Sequence, residues 1–485
     1  MTPAEGRLAP HQLAGLIAGP VVAILLHLFF RPAGLSDAGQ ATAAIAAMMA
    51  IWWATEAVPV AVTAFLPLVL FPLSGISKIA DTAPSYAHPT IYLFLGGFVI
   101  ALAIERTGLH RRVALLVFRF VGVNGRSLVG GFMIAAALLS MWISNTSTTL
   151  MLLPIVMSVV VVIRETMELD DVQRRDFETA MLLGLAYAAT LGGMTTLVGT
   201  PPNAFMSGFM QANYDREIDF ARWMMVGVPL ALIMMPLAWL VLTRLLFTVR
   251  FRASQAVRDH VNTLHADLGP ISKAEFRVML LFLFLVVGWV GRKPIAAITG
   301  VAELSDTGVA MLAAVLAFII PCGSRPGTLV SWEDTRRLPW GVLVLFGGGL
   351  ALAGGMSSSG LTLWIGEQLA PLGRVHVAVL IVAATALVIF LTELTSNLAT
   401  TATFLPVLAA LATETGMDPL VFVIPVTLAA SCAFMLPVAT PPNAIVFSSG
   451  SVSIPRMMRA GSLLNVIGII VLSVIALTIA PAVFQ

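Results

Sequence analysis

Two short polar stretches, Ser144-Asn145-Thr146-Ser147-Thr148-Thr149 and Ser396-Asn397-Leu398-Ala399-Thr400-Thr401, interrupt two long apolar parts of this chain. Each runs on to a Leu-Pro pair, Leu153-Pro154 in the first copy and Leu405-Pro406 in the second, so corresponding residues lie 252 positions apart. Hydroxyls, amides and helix-breaking prolines cost free energy at membrane depth unless they line a site. The pair therefore indicates a transporter built from repeats.

A second phrase is duplicated as Thr200-Pro201-Pro202-Asn203-Ala204 and Thr440-Pro441-Pro442-Asn443-Ala444. Proline lacks the backbone N–H and disrupts a helix, so consecutive prolines beside threonine predict an interrupted helix in each half. Broken segments from both halves are expected to meet at one binding site.

The composition is that of an integral membrane protein. Of the 485 residues, 58% are hydrophobic and only 11% are charged, and the mean hydropathy is +0.95. The net charge of +2 is too small to indicate a nucleic-acid partner. Cys322 and Cys432 offer neither a disulfide framework nor metal-ligand spacing, so we expect both to be buried small residues. The apolar run from Gln12 to Phe30 has no clear cleavage site and predicts a retained first helix.

Twelve apolar segments follow the first helix. Two of them, 127–163 and 375–411, are long enough for two short arms and carry the polar stretches near their middle, so we interpret them as re-entrant hairpins. The fold class predicted is an all-α polytopic membrane protein with about eleven transmembrane helices and two re-entrant hairpins. The segments lie near 38–55, 58–76, 88–104, 127–163, 179–212, 222–248, 275–291, 306–321, 339–356, 375–411, 419–450 and 460–483.

The distribution of Lys and Arg supports this topology. With the N-terminus in the cytoplasm and the C-terminus on the extracellular or periplasmic side, only seven of the 27 basic residues fall outside. If a hairpin spanned fully, every later loop would change sides and the bias would weaken. Five spans separate the hairpins, an odd number, so the repeats are predicted to be inverted. The cytoplasmic set is Arg7, Arg106, Arg111, Arg112, Arg119, Arg126, Arg164, Arg174, Arg175, Arg244, Arg250, Arg252, Arg258, Lys273, Arg277, Arg325, Arg336, Arg337, Arg456 and Arg459.

Other features repeat as well. Gly96 matches Gly348, and Gly108-Leu109 matches Gly360-Leu361, each at the offset of 252. The Thr-Pro-Pro-Asn phrases are 240 positions apart, and the missing twelve residues correspond to the polar run 164–178, which we expect to be a solvated cytoplasmic loop. Segment 105–124 suits an interfacial helix, because it carries apolar side chains at helical spacing. The apolar side chains are Val113, Leu116, Val117 and Phe120.

The hairpin tips offer a ligand almost no charge. Segments 127–163 and 179–214 contain no ionisable acid, base or histidine, and 375–455 contains no Lys or Arg. The amide ends of helices suit an anion such as a carboxylate or sulfate. Carbonyl ends, with Ser, Thr and Asn oxygens, suit Na⁺. Two tips facing two interruptions predict one anion site flanked by two cation sites.

Three ionisable residues near these elements are expected to be structural. Glu393 lies one turn before Asn397, and we interpret it as a structural hydrogen bonder in preference to a direct ligand. Glu56 and His88 lie near span ends, where snorkelling or capping is expected.

These paired motifs resemble those of the divalent anion/sodium symporters, over about residues 12 to 483. The resemblance implies a homodimer that works as an elevator, with a scaffold in 1–126 and 249–374 and a transport domain in 127–248 and 375–485. It implies a first Na⁺ site at Ser140, Ser144, Asn145 and Gly199, and a second at Thr392, Thr395, Asn397 and Ala439. Substrate contacts would fall on Asn145, Thr146, Thr200, Pro201, Asn397, Leu398, Thr440 and Pro441. Leu398 departs from the family pattern, which has threonine there.

The function predicted is Na⁺-coupled transport of a divalent anion across the inner (plasma) membrane, with a C4-dicarboxylate such as succinate, malate or fumarate as substrate. Citrate and sulfate are alternatives with the same mechanism. Proton coupling through Glu393 or His376, or anion exchange, is a different mechanism. Exchangers of this kind are expected to carry a basic side chain at the site, and we expect none near these motifs. The sequence shows no nucleophile with a base at membrane depth, as an enzyme would need. A channel needs a continuous pore, which two re-entrant hairpins do not provide.

Overall fold

A computed structural model describes residues 8–119, 124–252, 255–301, 303–324 and 326–484. Its regular structure is helical, apart from two isolated antiparallel pairings, Asn124 with Arg252 and Pro321 with Thr328. Arg7, Phe120 and Arg325, which the sequence analysis used, lie outside the described residues. The α-helices are Pro10–Phe29, Asp37–Thr55, Val60–Thr63, Leu66–Leu73, Ile79–Thr82, Pro89–Thr107, Leu109–Arg119, Gly125–Ser140, Asn145–Thr166, Asp171–Gly193, Pro201–Tyr214, Phe220–Leu240, Gln255–Ala266, Lys273–Val290, Arg292–Thr299, Asp306–Ile319, Trp340–Ser358, Leu361–Leu369, Val377–Thr392, Asn397–Glu414, Leu420–Ser431, Pro441–Ser448, Ile454–Leu477 and Ile479–Phe484.

Six helical segments of the described residues are long and apolar enough to cross a membrane, or seven if Lys273–Val290 and Arg292–Thr299, bent by 84°, form one span. Several shorter apolar helices accompany them, so the number of eleven spans stays a prediction. The six are Pro10–Phe29, Ile79–Thr107, Asn145–Thr166, Phe220–Leu245, Trp340–Ser358 and Ile454–Phe484.

Both predicted hairpins are present as helix–break–helix units. Hairpin 1 consists of Gly125–Ser140 and Asn145–Thr166, and hairpin 2 consists of Val377–Thr392 and Asn397–Glu414. Each has a four-residue tip that ends in the serine of its polar stretch, and the two arms of each hairpin contact each other. The arms are confirmed, while their entry and exit on one membrane side stays a prediction.

Both predicted helix interruptions are present. The first break separates Asp171–Gly193 from Pro201–Tyr214, and the second separates Leu420–Ser431 from Pro441–Ser448. In each break, the helix resumes at the first proline of the Pro-Pro pair. The fixed φ of proline suits the first residue of a helix, where the backbone N–H has no partner within the helix. The preceding threonine is extended in both copies, with φ of −143° and −142°.

The duplicated glycines have matching structural roles. A side chain at Gly96 would lie 2.7 Å from the backbone of Ala310, and one at Gly348 would lie 2.3 Å from the carbonyl oxygen of Ala64, so both allow two helices to approach closely. Gly108 and Gly360 take φ of +83° and +78°, which favours glycine. Each lies directly before a short helix, Leu109–Arg119 in the first half and Leu361–Leu369 in the second.

The expectation of a solvated loop over 164–178 is wrong in two respects, since most of the run is helical and its last residues, 176–178, are buried; residues 164–175 are exposed or half-buried, as expected. Helices end at Thr166 and begin again at Asp171, and the side chains of Asp176 and Glu178 are buried. Arg456 pairs with Asp176 at 3.0 Å and Arg164 pairs with Glu178 at 2.6 Å. These arginines compensate the burial of the two carboxylates, and the distant partner, Arg456, is one that the local sequence does not reveal.

The ion pairs of the described residues respect the predicted sides of the membrane. Arg106–Asp334, Arg112–Glu275 and Arg456–Asp176 join segments that were assigned to the cytoplasm. Arg216–Asp418 and Arg292–Glu217 join segments that were assigned to the other side. This agreement supports the relative placement of the loops; which side is cytoplasmic stays a prediction.

The two halves interlock around the breaks. Pro441–Ser448 of the second half packs against Asn145–Thr166 and Asp171–Gly193 of the first. The fully buried hydroxyl of Tyr187 donates to the carbonyl oxygen of Phe434 at 2.8 Å, which ties the helix before the first break to the second break. The broken helices and hairpins of both halves therefore form a contiguous packed unit.

Candidate functional site

A cavity of about 970 Å³ lies where the two hairpin tips meet the two breaks. The tips contribute Ser144–Ser147 and Leu394–Leu398, and the breaks contribute Val198–Pro202 and Val438–Pro442. The structure therefore brings together four elements that are far apart in the chain. All eight residues predicted to contact substrate line this cavity: Asn145, Thr146, Thr200, Pro201, Asn397, Leu398, Thr440 and Pro441.

Four helices begin at the cavity wall. Their first residues are Asn145, Pro201, Asn397 and Pro441, and each of these lines the cavity. A helix N-terminus carries roughly half a positive charge. The helices that begin at Asn145 and Asn397 also have backbone N–H groups in their first two residues, whereas the other two helices begin with two prolines, which have none. Four such ends around one cavity make an electropositive pocket without a basic side chain from the tips or breaks, which suits an anion.

The first set of predicted cation ligands lies behind the tip of hairpin 1. The buried hydroxyl of Ser140 donates to Oδ1 of Asn145 at 2.5 Å. A methyl group at Gly193 would lie 2.3 Å from that Oδ1 and 2.9 Å from the carbonyl oxygen of Gly199. Both oxygens thus converge on the space beside Gly193. The hydroxyl of Ser144 instead caps the second arm, accepting from the N–H of Ser147 at 3.2 Å.

The second set of predicted cation ligands repeats the contact between a hydroxyl and an asparagine side chain. The buried hydroxyl of Thr392 donates to Oδ1 of Asn397 at 2.9 Å and also lies 2.8 Å from the carbonyl oxygen of Ala430. Thr395 lines the cavity, and its hydroxyl lies 2.6 Å from that of Thr400. Ala439 also lines the cavity. The hydroxyl–amide pair across each tip therefore obeys the 252-residue repeat.

The duplicated Asn203 and Asn443 hold the breaks and do not line the cavity. Nδ2 of Asn203 donates to the carbonyl oxygen of Thr196 at 2.8 Å, and Nδ2 of Asn443 donates to that of Leu436 at 3.0 Å. Each also donates to the carbonyl oxygen ten residues before it. These bonds satisfy carbonyl groups that the helix interruption leaves without a partner.

Glu393 serves the second break as a structural hydrogen-bond acceptor, as expected. Its buried carboxylate accepts from the backbone N–H groups of Phe434, Met435 and Leu436 at 2.8–3.0 Å and from the side-chain amide of Asn465 at 2.7 Å. The position 252 residues earlier is Met141. The first break therefore has no such carboxylate, and the two halves of the site differ in charge.

The opposite wall of the cavity contains residues that the sequence analysis missed. Arg337 lines it and pairs with Glu105, so the expectation that no basic side chain stands near the site is wrong for this residue. His11 and Glu56 also line the cavity. Glu56 is the left-handed residue that ends Asp37–Thr55, which fits its expected place at a span end. Only tertiary structure brings these three residues to the motifs.

Comparison with known proteins identifies the family. Residues 11–484 match the family described as the sodium:sulfate symporter transmembrane region. The chain belongs to this family. It is 39% identical over 480 residues to the sodium-dependent dicarboxylate transporter SdcS of Staphylococcus saprophyticus, covering 97% of this chain and 92% of the relative. It is also 39% identical over 477 residues to SdcS of Staphylococcus aureus (strain MRSA252), with the same coverage. The family confirms a membrane transporter, as predicted, and not an enzyme.

Two solved transporters share the fold. The first, MtrF of Neisseria gonorrhoeae, described within a class of antimetabolite efflux pumps, aligns with a TM-score of 0.57 and 12% identity over 97% of this chain and 95% of its own. The second, the YdaH transporter of Alcanivorax borkumensis, has a TM-score of 0.53 and 14% identity, covering 81% of this chain and 86% of its own. At these identities the likeness concerns the fold alone.

Proposed function

We propose that this protein couples the movement of Na⁺ to the uptake of a divalent anion, with a C4-dicarboxylate as the substrate. The observation that carries the proposal is the convergence of four helix N-termini on one cavity, to whose lining the tips and breaks contribute no acidic side chain. A dicarboxylate offers two anionic ends, and two pairs of N-termini from two repeats offer two matching positions. The relatives named as sodium-dependent dicarboxylate transporters support the choice of substrate.

Bound cations fit the chemistry of the residues behind the tips. The oxygens beside Gly193, from Asn145 and Gly199, and the Ser140 hydroxyl bonded to Asn145 are uncharged and suit a hard cation of low charge. We place the first Na⁺ among these oxygens and the second among those of Thr392, Thr395, Asn397 and Ala439. Cations on both sides of the cavity would offset the charge of the anion, so that the two kinds of ligand favour each other's binding.

We further propose that transport proceeds by an elevator movement in a homodimer, with the N-terminus in the cytoplasm. The cavity is bounded on one side by the tips and breaks and on the other by residues of the proposed scaffold, such as Glu56 and Arg337. A site at the boundary of two bodies changes its access when one body moves along the other. The packed unit of both hairpins and both breaks is suited to move as one.

The proton-coupled alternative is less well supported by the geometry. The carboxylate of Glu393 is engaged by three backbone N–H groups and an amide, which hold it in place. His376 is a helix cap that accepts from the N–H of Ala378 at 3.2 Å. Neither residue lines the cavity, as a proton carrier that exchanges with substrate would.

Replacement of Na⁺ tests the coupling. In proteoliposomes that contain the purified protein, uptake of labelled succinate should rise steeply with Na⁺, with a Hill coefficient above one, because more than one cation offsets the anion's charge. Li⁺, K⁺ and a pH gradient should be tested in turn, with citrate and sulfate as competing anions. Equal uptake in K⁺ medium at constant pH would overturn Na⁺ coupling.

The substitution Leu398→Thr tests the substrate preference. Leu398 lines the cavity where hairpin 1 has Thr146, so one end of the anion meets a hydroxyl and the other meets an apolar surface. An apolar wall discriminates weakly between ligands, whereas unpaired polar groups discriminate strongly. We expect Leu398→Thr to shift preference toward sulfate or to tighten dicarboxylate binding by about 1 kcal/mol. Competition assays would measure this shift.

A matched control for Leu398→Thr is available in the same tip. Leu394 also lines the cavity but is 69% exposed, so Leu394→Thr makes the wall more polar without adding a hydroxyl at the position that corresponds to Thr146. Its competition profile should remain that of the wild type. Identical profiles for wild type and Leu398→Thr would show that position 398 does not contact the substrate.

A further inference from the structure

A second cavity, of about 440 Å³, lies away from the transport site and is lined by three arginines. It forms between the start of hairpin 1 and the segment that follows the helix Phe220–Leu240. Arg126, Arg244 and Arg250 line it together with Trp239. All three arginines belong to the set that the charge distribution assigns to the cytoplasmic side.

No acidic partner of these arginines lies among the residues that the structure describes. None of the three forms an ion pair among the described residues, and the described residues that line the cavity include no Asp or Glu. Residues 120–123 and 253–254, which adjoin the lining segments in sequence, contain no acidic side chain either. Nε of Arg126 is buried without a hydrogen-bond partner. Three uncompensated guanidinium groups around one cavity attract an anion, and phosphate matches their bidentate geometry.

The cavity opens at the end of an apolar, exposed helix face. On the helix Phe220–Leu240, Leu232 and Pro236 are exposed and share one face with Trp239 at positions i, i+4 and i+7. Trp239 donates through Nε1 to the carbonyl oxygen of Arg126 at 2.8 Å, and the guanidinium of Arg244 lies 5.7 Å from the centre of its ring. An apolar strip that ends in tryptophan and arginine is the pattern of a membrane–water boundary.

We propose that this arginine cavity binds the phosphate group of an anionic phospholipid whose acyl chains lie along the face of Leu232 and Pro236. Basic pockets between membrane helices on the cytoplasmic side bind anionic headgroups by the same physical principle. The strip of exposed apolar side chains favours a lipid over a free phosphate ion, because acyl chains would cover it.

The location of this site gives the lipid a structural consequence. The N–H of Gly125 donates to the carbonyl oxygen of Phe251 at 3.0 Å, and Asn124 pairs with Arg252, so the segments before hairpin 1 and after Phe247 lie side by side. The proposed boundaries between scaffold and transport parts lie at these segments, 248/249 within the second of them and 126/127 after the first two residues of hairpin 1. A bound headgroup would hold the two connections together.

Thermal unfolding of the full-length protein in detergent tests the proposal. Phosphatidylglycerol should raise the Tm of the wild type, whereas phosphatidylcholine, inorganic phosphate and glycerol 1-phosphate should not. Arg244→Gln and Arg250→Gln should each raise the half-saturating concentration of phosphatidylglycerol by about fivefold, the effect of one basic residue near an anionic surface. Both arginines are exposed, so the Tm without lipid should stay that of the wild type.

The control is Arg258→Gln, which removes the same charge from an exposed residue outside the cavity and should leave the lipid response unchanged. Equal Tm shifts from phosphatidylglycerol and phosphatidylcholine would overturn the anionic headgroup. Equal shifts from inorganic phosphate and phosphatidylglycerol would overturn the lipid as the source of the anion. Lipid responses of Arg244→Gln and Arg250→Gln that match the wild type would overturn the site. These readouts do not involve transport and are independent of the proposed substrate.

Discussion

Asn145→Ala and Asn397→Ala should each reduce Na⁺-driven succinate uptake by at least about tenfold. Each asparagine lines the cavity at the first residue of a helix, and its Oδ1 accepts a hydrogen bond from a hydroxyl across the tip, from Ser140 in one case and Thr392 in the other. Alanine removes the amide from the proposed ligands, and it takes the acceptor Oδ1 away from Ser140 in one case and from Thr392, which keeps the carbonyl oxygen of Ala430, in the other. Loss of a buried hydrogen-bonding group costs roughly 1–3 kcal/mol, and about 1.4 kcal/mol is tenfold in an equilibrium constant. Initial uptake rates in proteoliposomes would measure the effect.

Asparagine-to-alanine substitutions elsewhere in the chain distinguish loss of the binding site from general loss of structure. Asn213 does not line the transport cavity, and its Nδ2 donates to the carbonyl oxygen of Phe209. The Asn213→Ala variant should therefore transport at nearly the wild-type rate. Asn203→Ala and Asn443→Ala should lower expression or thermal stability, because they release carbonyl groups within the breaks. Wild-type uptake in both tip variants would place the site elsewhere.

The positions of the tips and breaks could be predicted because they violate the rules for an apolar helix. A polar stretch or a Pro-Pro pair at membrane depth requires a compensating structure, and its duplication at a fixed offset excludes coincidence. The structure has a helix beginning at Asn145, Pro201, Asn397 and Pro441, the positions that these signals mark. The pairing of Ser140 with Asn145, and of Thr392 with Asn397, respects the same offset.

The rest of the site could not be predicted, since it depends on long-range contacts that have no local signal. Arg337 lines the cavity 192 residues after Asn145, and nothing in its own sequence surroundings marks it as part of the site. The carboxylate of Glu393 was expected to make structural hydrogen bonds, but its acceptance from Phe434, Met435 and Leu436 required the second break to fold back on hairpin 2. Similarly, the sequence around Asp176 predicts a solvated side chain, because its partner Arg456 lies far along the chain.

The two halves of the site also differ in how tightly they are packed, which the motifs themselves do not show. Gly193 and Gly199 have Ala433 and Ala439 at the corresponding positions of the second break. A methyl group at Gly199 would lie 2.3 Å from the carbonyl oxygen of Gly193, closer than any packed side chain tolerates. The oxygens of the first cation set are therefore more crowded than those of the second. This crowding makes the first set sensitive to a single added methyl group.

Gly193→Ala should weaken activation by Na⁺ at concentrations that saturate the wild type. Replacing glycine by alanine in a helix ordinarily stabilises by up to about 1 kcal/mol, and Gly193 does not have a positive φ that would forbid it. Here the methyl would lie 2.3 Å from Oδ1 of Asn145 and 2.9 Å from the carbonyl oxygen of Gly199, so it would fill the space on which both oxygens converge. We expect the half-saturating Na⁺ concentration for uptake to rise by at least about tenfold, corresponding to about 1.4 kcal/mol.

Two further variants decide whether such a loss belongs to the cation site. Gly354→Ala makes the same change where no atom lies within 4 Å, and it should transport like the wild type. Ala433→Gly removes a methyl group at the corresponding position of the second break, so it should not raise the Na⁺ requirement as Gly193→Ala does. Thermal unfolding with and without Na⁺ adds a readout that does not depend on substrate. The increase in Tm caused by Na⁺ should shrink in Gly193→Ala, and an unchanged increase would contradict a Na⁺ ion beside Gly193.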